Sequence, residues 1–238
     1  MTQIVAVVGA TGIQGGSVVK ALYATGKGAN IVFGVTQFFQ KDVLEKVENG
    51  DDNAKFTQGK AMVDAAIAEG VKSGKYANVL HFEGKHKVEE YLLSKANKIC
   101  GYPVHAGVYM QNYIGFSRWS AEDNAVEFSL VLDPSDKLPL TVIENNLGKI
   151  VVYILEHLEE CLGKPMSVCS GYYEEEDMVK AFTEVTGKPA RYVQIPYEYL
   201  GGEDLRQMFQ SLREFSMFAG MPDFVEYYKK KEIHLGTP

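Results

Sequence analysis

Between Gln3 and Val8 apolar, mostly β-branched residues follow one another without polar alternation, the pattern of a strand buried on both faces as in a parallel sheet. The run leads directly into Gly9-Ala10-Thr11-Gly12-Ile13-Gln14-Gly15-Gly16. From Ile13 to about Thr25, Val18 and Leu22, with Val19 and Ala21 beside them, form an apolar stripe at helical spacing, and Gly26 stands where a C-cap is expected. Residues 31–35 read as a second short buried strand, and the short connection implies a right-handed βαβ unit with its strands parallel. Residues 41–53 are polar and predict a surface loop, and residues 56–71 predict an Ala-rich helix. A further helix is expected from about Gly84, where Val88, Tyr91, Leu92, Ala96 and Ile99 share a face, before Gly101-Tyr102-Pro103 ends it and residues 104–110 extend again.

Beyond Asn112 the pattern changes. Short strands are expected at residues 126–132 and 140–142, then Leu147, Ile150, Val151, Ile154, Leu155, Leu158 and Leu162 trace the strongest amphipathic helix. A strand at residues 166–170, a helix at 174–186, a strand at 192–195 and two helices, through Leu205 to Phe215 and over residues 223–231, complete the reading. With no internal repeat and no linker, residues 1–112 and 113–238 are expected as two parts packed side by side.

Composition narrows the class. Of 238 residues 46% are hydrophobic and 23% charged, enough for a core and against a disordered or collagen-like chain. No apolar run approaches the roughly 20 residues a bilayer requires, so no membrane partner is expected. The N-terminal apolar run lacks a preceding Lys or Arg and is too short for a signal peptide, which predicts a cytosolic or nuclear protein. A net charge of -7 has the wrong sign for direct nucleic-acid binding, so any regulatory role is expected to act through a protein partner or a homodimer. Cys100, Cys161 and Cys169 are widely spaced without a CxxC, and the five histidines show no metal-ligand spacing.

The chemistry-bearing motif is Gly9-x-x-Gly12-x-x-Gly15. Its first glycine permits a tight turn, its second lets backbone N–H groups approach a pyrophosphate, and its third lets the helix pack closely on the strand. The strand before and helix after supply the context that dinucleotide binding needs. The residues after the second strand, Thr36-Gln37-Phe38-Phe39, carry no charge, so the choice between NAD and NADP is not legible.

Residues 7–18, Phe33-Gly34-Val35-Thr36-Gln37-Phe38, His81-Phe82-Glu83-Gly84-Lys85 with Val88-Glu89-Glu90-Tyr91, and Tyr109-Met110-Gln111-Asn112-Tyr113 together resemble the NmrA-like family, atypical relatives of the short-chain dehydrogenases. The resemblance implies an α/β protein with a Rossmann-type parallel sheet, a smaller α+β C-terminal part, and NADP or NAD at the glycine turn. It implies Gly9 and Thr11, Gly12, Ile13, Gln14 and Gly15 at the pyrophosphate, Thr36 and Gln37 along the cofactor cleft, Lys85 at the nicotinamide ribose, and Tyr109 to Asn112 at the nicotinamide edge. Short-chain dehydrogenases use Tyr-x-x-x-Lys, in which the cation lowers the pKa of the phenol. The matching candidate catalytic positions here are His81 and Lys85. An imidazole beside a cation stays largely neutral at pH 7 and is a poor proton donor, so classical dehydrogenase activity is not expected.

The chain departs from the family where Lys27 runs straight into Gly28, omitting strands that meet the adenosine side, so the sheet is expected to be reduced and dinucleotide affinity weakened. The turn before the helix at Leu147, acid-bearing in the family, reads Glu144-Asn145-Asn146. Glu174-Glu175-Glu176-Asp177 is explained by the dipole of the helix it opens, and Lys229-Lys230-Lys231 by a solvated helix end. The aromatic and Met positions from Met208 to Phe218 suit core or a dimer surface. The expected function is an NAD(P)-binding redox sensor or regulator. The alternatives are an NADPH-dependent reductase of isoflavone-reductase type, or a cofactor-independent enzyme using the same cleft for a small hydrophobic substrate.

Overall fold

The apolar stretch near the N-terminus forms strand β1 (Val5–Val7), and β2 (Ile31–Phe33) pairs with it in parallel, Val5 opposite Ile31 and Val7 opposite Phe33. A computed structural model of the protein describes residues 5–7, 13–25, 31–34, 80–97 and 99–237. The expected loop at 41–53, helix at 56–71, C-cap at Gly26 and continuity at Lys27-Gly28 fall outside the described residues. The chain folds as two compact units, Met1–Val104 with Ile150–Met166, and His105–Lys149 with Ser167–Pro238.

In the first unit helix α1 spans Ile13–Thr25, with Gly15, Ser17, Val18 and Leu22 buried. Val19 points outward, because it lies on the flank of the Val18–Leu22 line. The Thr25 hydroxyl donates to the Leu22 carbonyl at 3.2 Å and closes the last turn. Helix α2 covers Leu80–Ser94, beginning four residues before Gly84 and stopping before the predicted Ile99. Ser94 Oγ donates to the Tyr91 carbonyl at 2.7 Å, and the turn after it carries Ile99 off the buried stripe into an exposed position. Gly101 packs so closely on Leu92 that an added Cβ would lie 2.8 Å from Leu92 Cγ.

Strand β3 (Val104–Ala106), strand β8 (Met166–Val168) and helix α3 (Ile143–Glu156) run across the division between units. Ile143, Asn146, Leu147, Ile150, Val151, Tyr153 and Ile154 of α3 are all buried, so the helix is enclosed on more than one face. The expected single helix to Leu162 breaks at His157, whose φ of -132° and ψ of 43° leave the helical region, before the one-turn helix α4 (Leu158–Cys161). His157 stacks on Tyr153 with centroids 4.1 Å apart.

The second unit holds two three-stranded sheets. In one, β6 (Ala125–Leu130) lies between β5 (Ser117–Ser120), antiparallel, and β10 (Ala190–Gln194), parallel. In the other, β7 (Leu138–Thr141) lies between β4 (Val108–Tyr109), parallel, and β9 (Gly171–Tyr173), antiparallel. Strands β5 and β9 are too short and mixed to stand out in the sequence pattern. Helices α5 (Glu175–Thr186), α6 (Glu203–Phe215) and α7 (Phe224–Lys230) complete the unit, close to the predicted spans. Tyr113, Phe128, Leu130, Val131, Leu132, Leu138, Leu140, Phe209 and Leu212 form its core, which absorbs part of the aromatic segment from Met208 onward. The α/β class and the parallel β1–β2 pair follow the sequence expectation, with short sheets and a modest number of strands among the described residues.

Candidate functional site

In the first unit only five residues join Val7 to Ile13, so the end of β1 and the start of α1 share one end of the unit. The first turn of α1 holds Ile13, Gln14 and Gly15 and contains no acidic side chain. The first N–H groups of the helix and the positive end of its dipole lie at this end, the kind of donor set that an anion requires. Gly15 is buried, as a residue without a side chain must be where a helix packs closely on a strand. Gly9, Thr11, Gly12, Thr36 and Gln37 fall outside the described residues.

His81 and Lys85 lie one turn apart in α2. Lys85 is exposed as a residue, yet desolvation around its ammonium lowers its pKa from the ordinary lysine value. His86 and Glu90 form an i,i+4 pair at 3.5 Å on the same helix.

The remaining candidates lie in the second unit. Tyr109 ends β4 opposite Thr141 of β7, half-buried, and burial pushes its phenol up to about 12, so it holds its proton across the physiological range. The chain then enters a 3-10 turn, Met110–Ile114, on which Asn112 is exposed. The Asn112 carbonyl closes the turn by accepting from Gly115 N at 2.9 Å and Phe116 N at 3.2 Å. The Tyr113 ring turns inward, edge-on to Phe116 and Phe128. Its hydroxyl donates to Glu175, with the two carboxylate oxygens at 3.1 and 3.0 Å.

Glu175 corrects the reading of the acidic run. Glu174 is the N-cap of α5 and forms a capping box with Asp177, but Glu175 is 1% exposed and not a solvated first-turn acid. Burial, the largest cause, pushes its carboxyl up to about 7; the Tyr113 hydrogen bond pulls downward and the charge of Asp136 pushes further up. The sequence held a signal for this: Glu175, Met178, Val179 and Phe182 stand at i, i+3, i+4 and i+7, the spacing of one helical face. Met178, Val179 and Phe182 pack on the core, so Glu175 shares their side.

A cleft of about 400 Å³ in this unit is lined by Leu132, Leu138, Leu212, Asp136, Arg213 and Phe215 among others, and none of the candidate residues lines it. Among the described residues no three His, Cys, Asp or Glu side chains are grouped to hold a metal ion, and no helix is long and apolar enough to cross a membrane. Cys100 is exposed and Cys161 and Cys169 are buried, all as free thiols.

The profile of the NmrA-like family matches residues 22–234. The chain is 25% identical to an NmrA-like family domain-containing oxidoreductase, FrzB, of Cladobotryum sp, over 81% of this chain and 76% of that protein. That alignment spans 256 residues, more than this chain contains, so the relative carries residues with no counterpart here. In structure the chain resembles NmrA, a negative transcriptional regulator, in complex with NAD, with a TM-score of 0.67 at 14% identity over 99% of this chain and 93% of that one. It resembles NmrA in complex with NADP at 0.58 and 16% identity, over 95% of this chain and 83% of that one. It also resembles the leucoanthocyanidin reductase–NADPH complex of Vitis vinifera, at 0.50 and 13% identity over 92% and 88%. At such identities these likenesses show the fold.

Proposed function

The chain belongs to the NmrA-like family, and from that premise we propose that it binds a nicotinamide dinucleotide, NADP or NAD, and acts as a redox sensor or regulator and not as a classical dehydrogenase. The observation that carries the binding is the acid-free first turn of α1, which follows directly on β1 in a parallel pair and has buried Gly15 at its foot. These residues fit a pyrophosphate. Gly9, Thr11, Gly12, Ile13, Gln14 and Gly15 would hold it through backbone N–H groups, Thr36 and Gln37 would line the cleft, and Lys85 would supply a cation to the ribose. The roles of Tyr109 and Asn112 at the nicotinamide rest on the family resemblance. When bound, the dinucleotide supplies hydride chemistry.

The regulator reading rests on His81, which stands where short-chain dehydrogenases carry a phenol, one turn before Lys85. A neutral imidazole beside a lysine is a weak acid toward an alkoxide. Regulation would proceed through a protein partner or a homodimer in the cytosol or nucleus, since a net charge of -7 opposes direct nucleic-acid contact. The absence of the adenosine-side residues between Lys27 and Gly28 would weaken affinity.

Calorimetric titration with NADPH and NADH tests the reading. Saturable binding that Gly12→Val abolishes, in a variant that still melts cooperatively, is the expected result, because a side chain there fills the space of the pyrophosphate. Equal binding by the variant would remove the assignment. The description of FrzB as an oxidoreductase supports a second reading, an NADPH-dependent reductase. Steady NADPH oxidation with a carbonyl substrate, lost in both His81→Ala and Lys85→Ala, would favour it.

A further inference from the structure

Glu175 is a buried acid that the proposed dinucleotide site does not use. Both its oxygens lie against one hydroxyl, at 3.0 and 3.1 Å, so a single phenolic proton serves two acceptors. The nearby cations are committed elsewhere: Lys137 pairs with Glu174 at 3.4 Å, and Arg213 is held by Asp133 and, at 2.8 Å, by Asp136. The groups facing Glu175 are Tyr113 from the 3-10 turn, Asp136 from the loop after β6, and Tyr192 from β10, whose phenol is pushed up by burial first and then by the charge of Glu175. On its own helix Glu174, Glu176 and Asp177 are acidic. The N-terminal dipole of α5 and the Tyr113 hydroxyl favour a carboxylate, while burial and the surrounding acids favour the neutral acid.

We propose that Glu175 and Tyr113 form a proton-operated latch on the Met110–Ile114 turn, closed when Glu175 carries its proton and released when the proton leaves. The linkage follows from the burial. Release of Tyr113 would let water reach the carboxyl, so the open state holds the proton more weakly than the closed state, and each proton bound favours closure. The turn carries Asn112 and follows Tyr109, the residues that the proposed dinucleotide reading assigns to the nicotinamide. Coupling of the latch to binding rests on that proposed site, whereas the latch itself does not.

Amide hydrogen exchange at Gly115 and Phe116, whose N–H groups close the turn, reports its opening. After correction for the intrinsic pH dependence of exchange, opening in the full chain is expected to grow on the order of tenfold to a hundredfold from pH 5 to pH 8. Glu175→Gln, which cannot ionise, is expected to give a flat profile. Tyr113→Phe keeps the ring in its aromatic cluster but cuts the tie, and is expected to raise opening at pH 5 while keeping a rise with pH, because burial of Glu175 is the larger cause. A flat profile in the parent, the same slope in the parent and Glu175→Gln, or unchanged opening at pH 5 in Tyr113→Phe overturns the latch. If Glu175→Gln does not fold, Tyr113→Phe decides alone. Calorimetry with NADPH on the same proteins separates the two claims: tighter binding at pH 6 than at pH 8, absent in Glu175→Gln, supports the coupling, and pH-independent binding overturns it. No binding at any pH overturns the dinucleotide site and leaves the exchange profile to judge the latch.

Discussion

Asn146 grips Gly236 by both of that residue's backbone polar groups: its Nδ2 donates to the Gly236 carbonyl at 3.0 Å, and its Oδ1 accepts from the Gly236 N–H at 2.7 Å. The same Nδ2 approaches Ser170 Oγ at 2.8 Å and Thr141 Oγ1 at 3.2 Å, and Asn146 is fully buried. Glu144, Asn145 and Asn146, expected in a turn before the helix, lie in the first turn of α3 itself. A carboxylate accepts from Gly236 N–H but cannot donate to its carbonyl. Asn146→Asp is therefore expected to lose about 2 kcal/mol of stability in urea unfolding, and Asn146→Ala at least as much, because both leave buried acceptors unpaired. Unchanged midpoints would mean that the C-terminal segment is not tied down in solution.

Glu175 makes the stability of the protein depend on pH with a definite sign. Burial pushes its folded-state carboxyl up to about 7 from an ordinary value of 4.5. A raised acid contributes stability that is fully present below the unfolded value and lost as pH rises through the folded one. Thermal unfolding is expected to weaken by about 3 kcal/mol from pH 4.5 to pH 8 through this group. Comparison of melting curves for the parent and Glu175→Gln isolates the effect, and a variant with the parent's slope in that window would assign the dependence to other groups.

Two glycines with crowded surroundings respond differently to a methyl group. At Gly107 an added Cβ would sit 2.4 Å from the Pro139 carbonyl oxygen and 3.2 Å from that of Val168, both backbone atoms in strands. At Gly101 the nearest atoms belong to the Leu92 side chain, which can move. Gly107→Ala is expected to cost roughly 3 kcal/mol and Gly101→Ala roughly 1 kcal/mol, measured by chemical denaturation. The reverse order would show that the β4–β7 pairing yields more readily than a leucine rotamer.

Across the other sheet of the second unit, Arg118, Glu127 and Arg191 stand opposite one another on three adjacent strands. Arg191 and Arg118 both bind the Glu127 carboxylate, Arg118 at 2.6 Å, and the Arg191 hydrogen bond is the largest cause that lowers its pKa. The stability from a lowered acid is present above the unfolded value and lost as pH falls through the folded one. Glu127→Gln is expected to destabilise at pH 7 and to reduce the loss of stability in acid. Arg191→Ala should act more strongly than Arg118→Ala, since Arg191 also holds Asp123 at 2.6 Å. Equal effects of the two arginine variants would count against that division.

The sequence by itself determined the local elements wherever one period dominated. The apolar run before Gly9 becomes β1, Val18 and Leu22 are buried in α1, and Asp223 caps α7 by accepting from Glu226 N–H, because each depends on near neighbours. Only the tertiary structure decided the rest. It broke the long apolar helix at His157, brought Asn146 to Gly236 across 90 residues and Tyr113 to Glu175 across 62, and turned one acid of a uniformly charged run into the core. A charge run reads alike whether a residue faces water or a phenol. The difference lies in burial, which is set by packing between distant segments and leaves only the faint i, i+3, i+4, i+7 trace of Glu175, Met178, Val179 and Phe182 in the sequence.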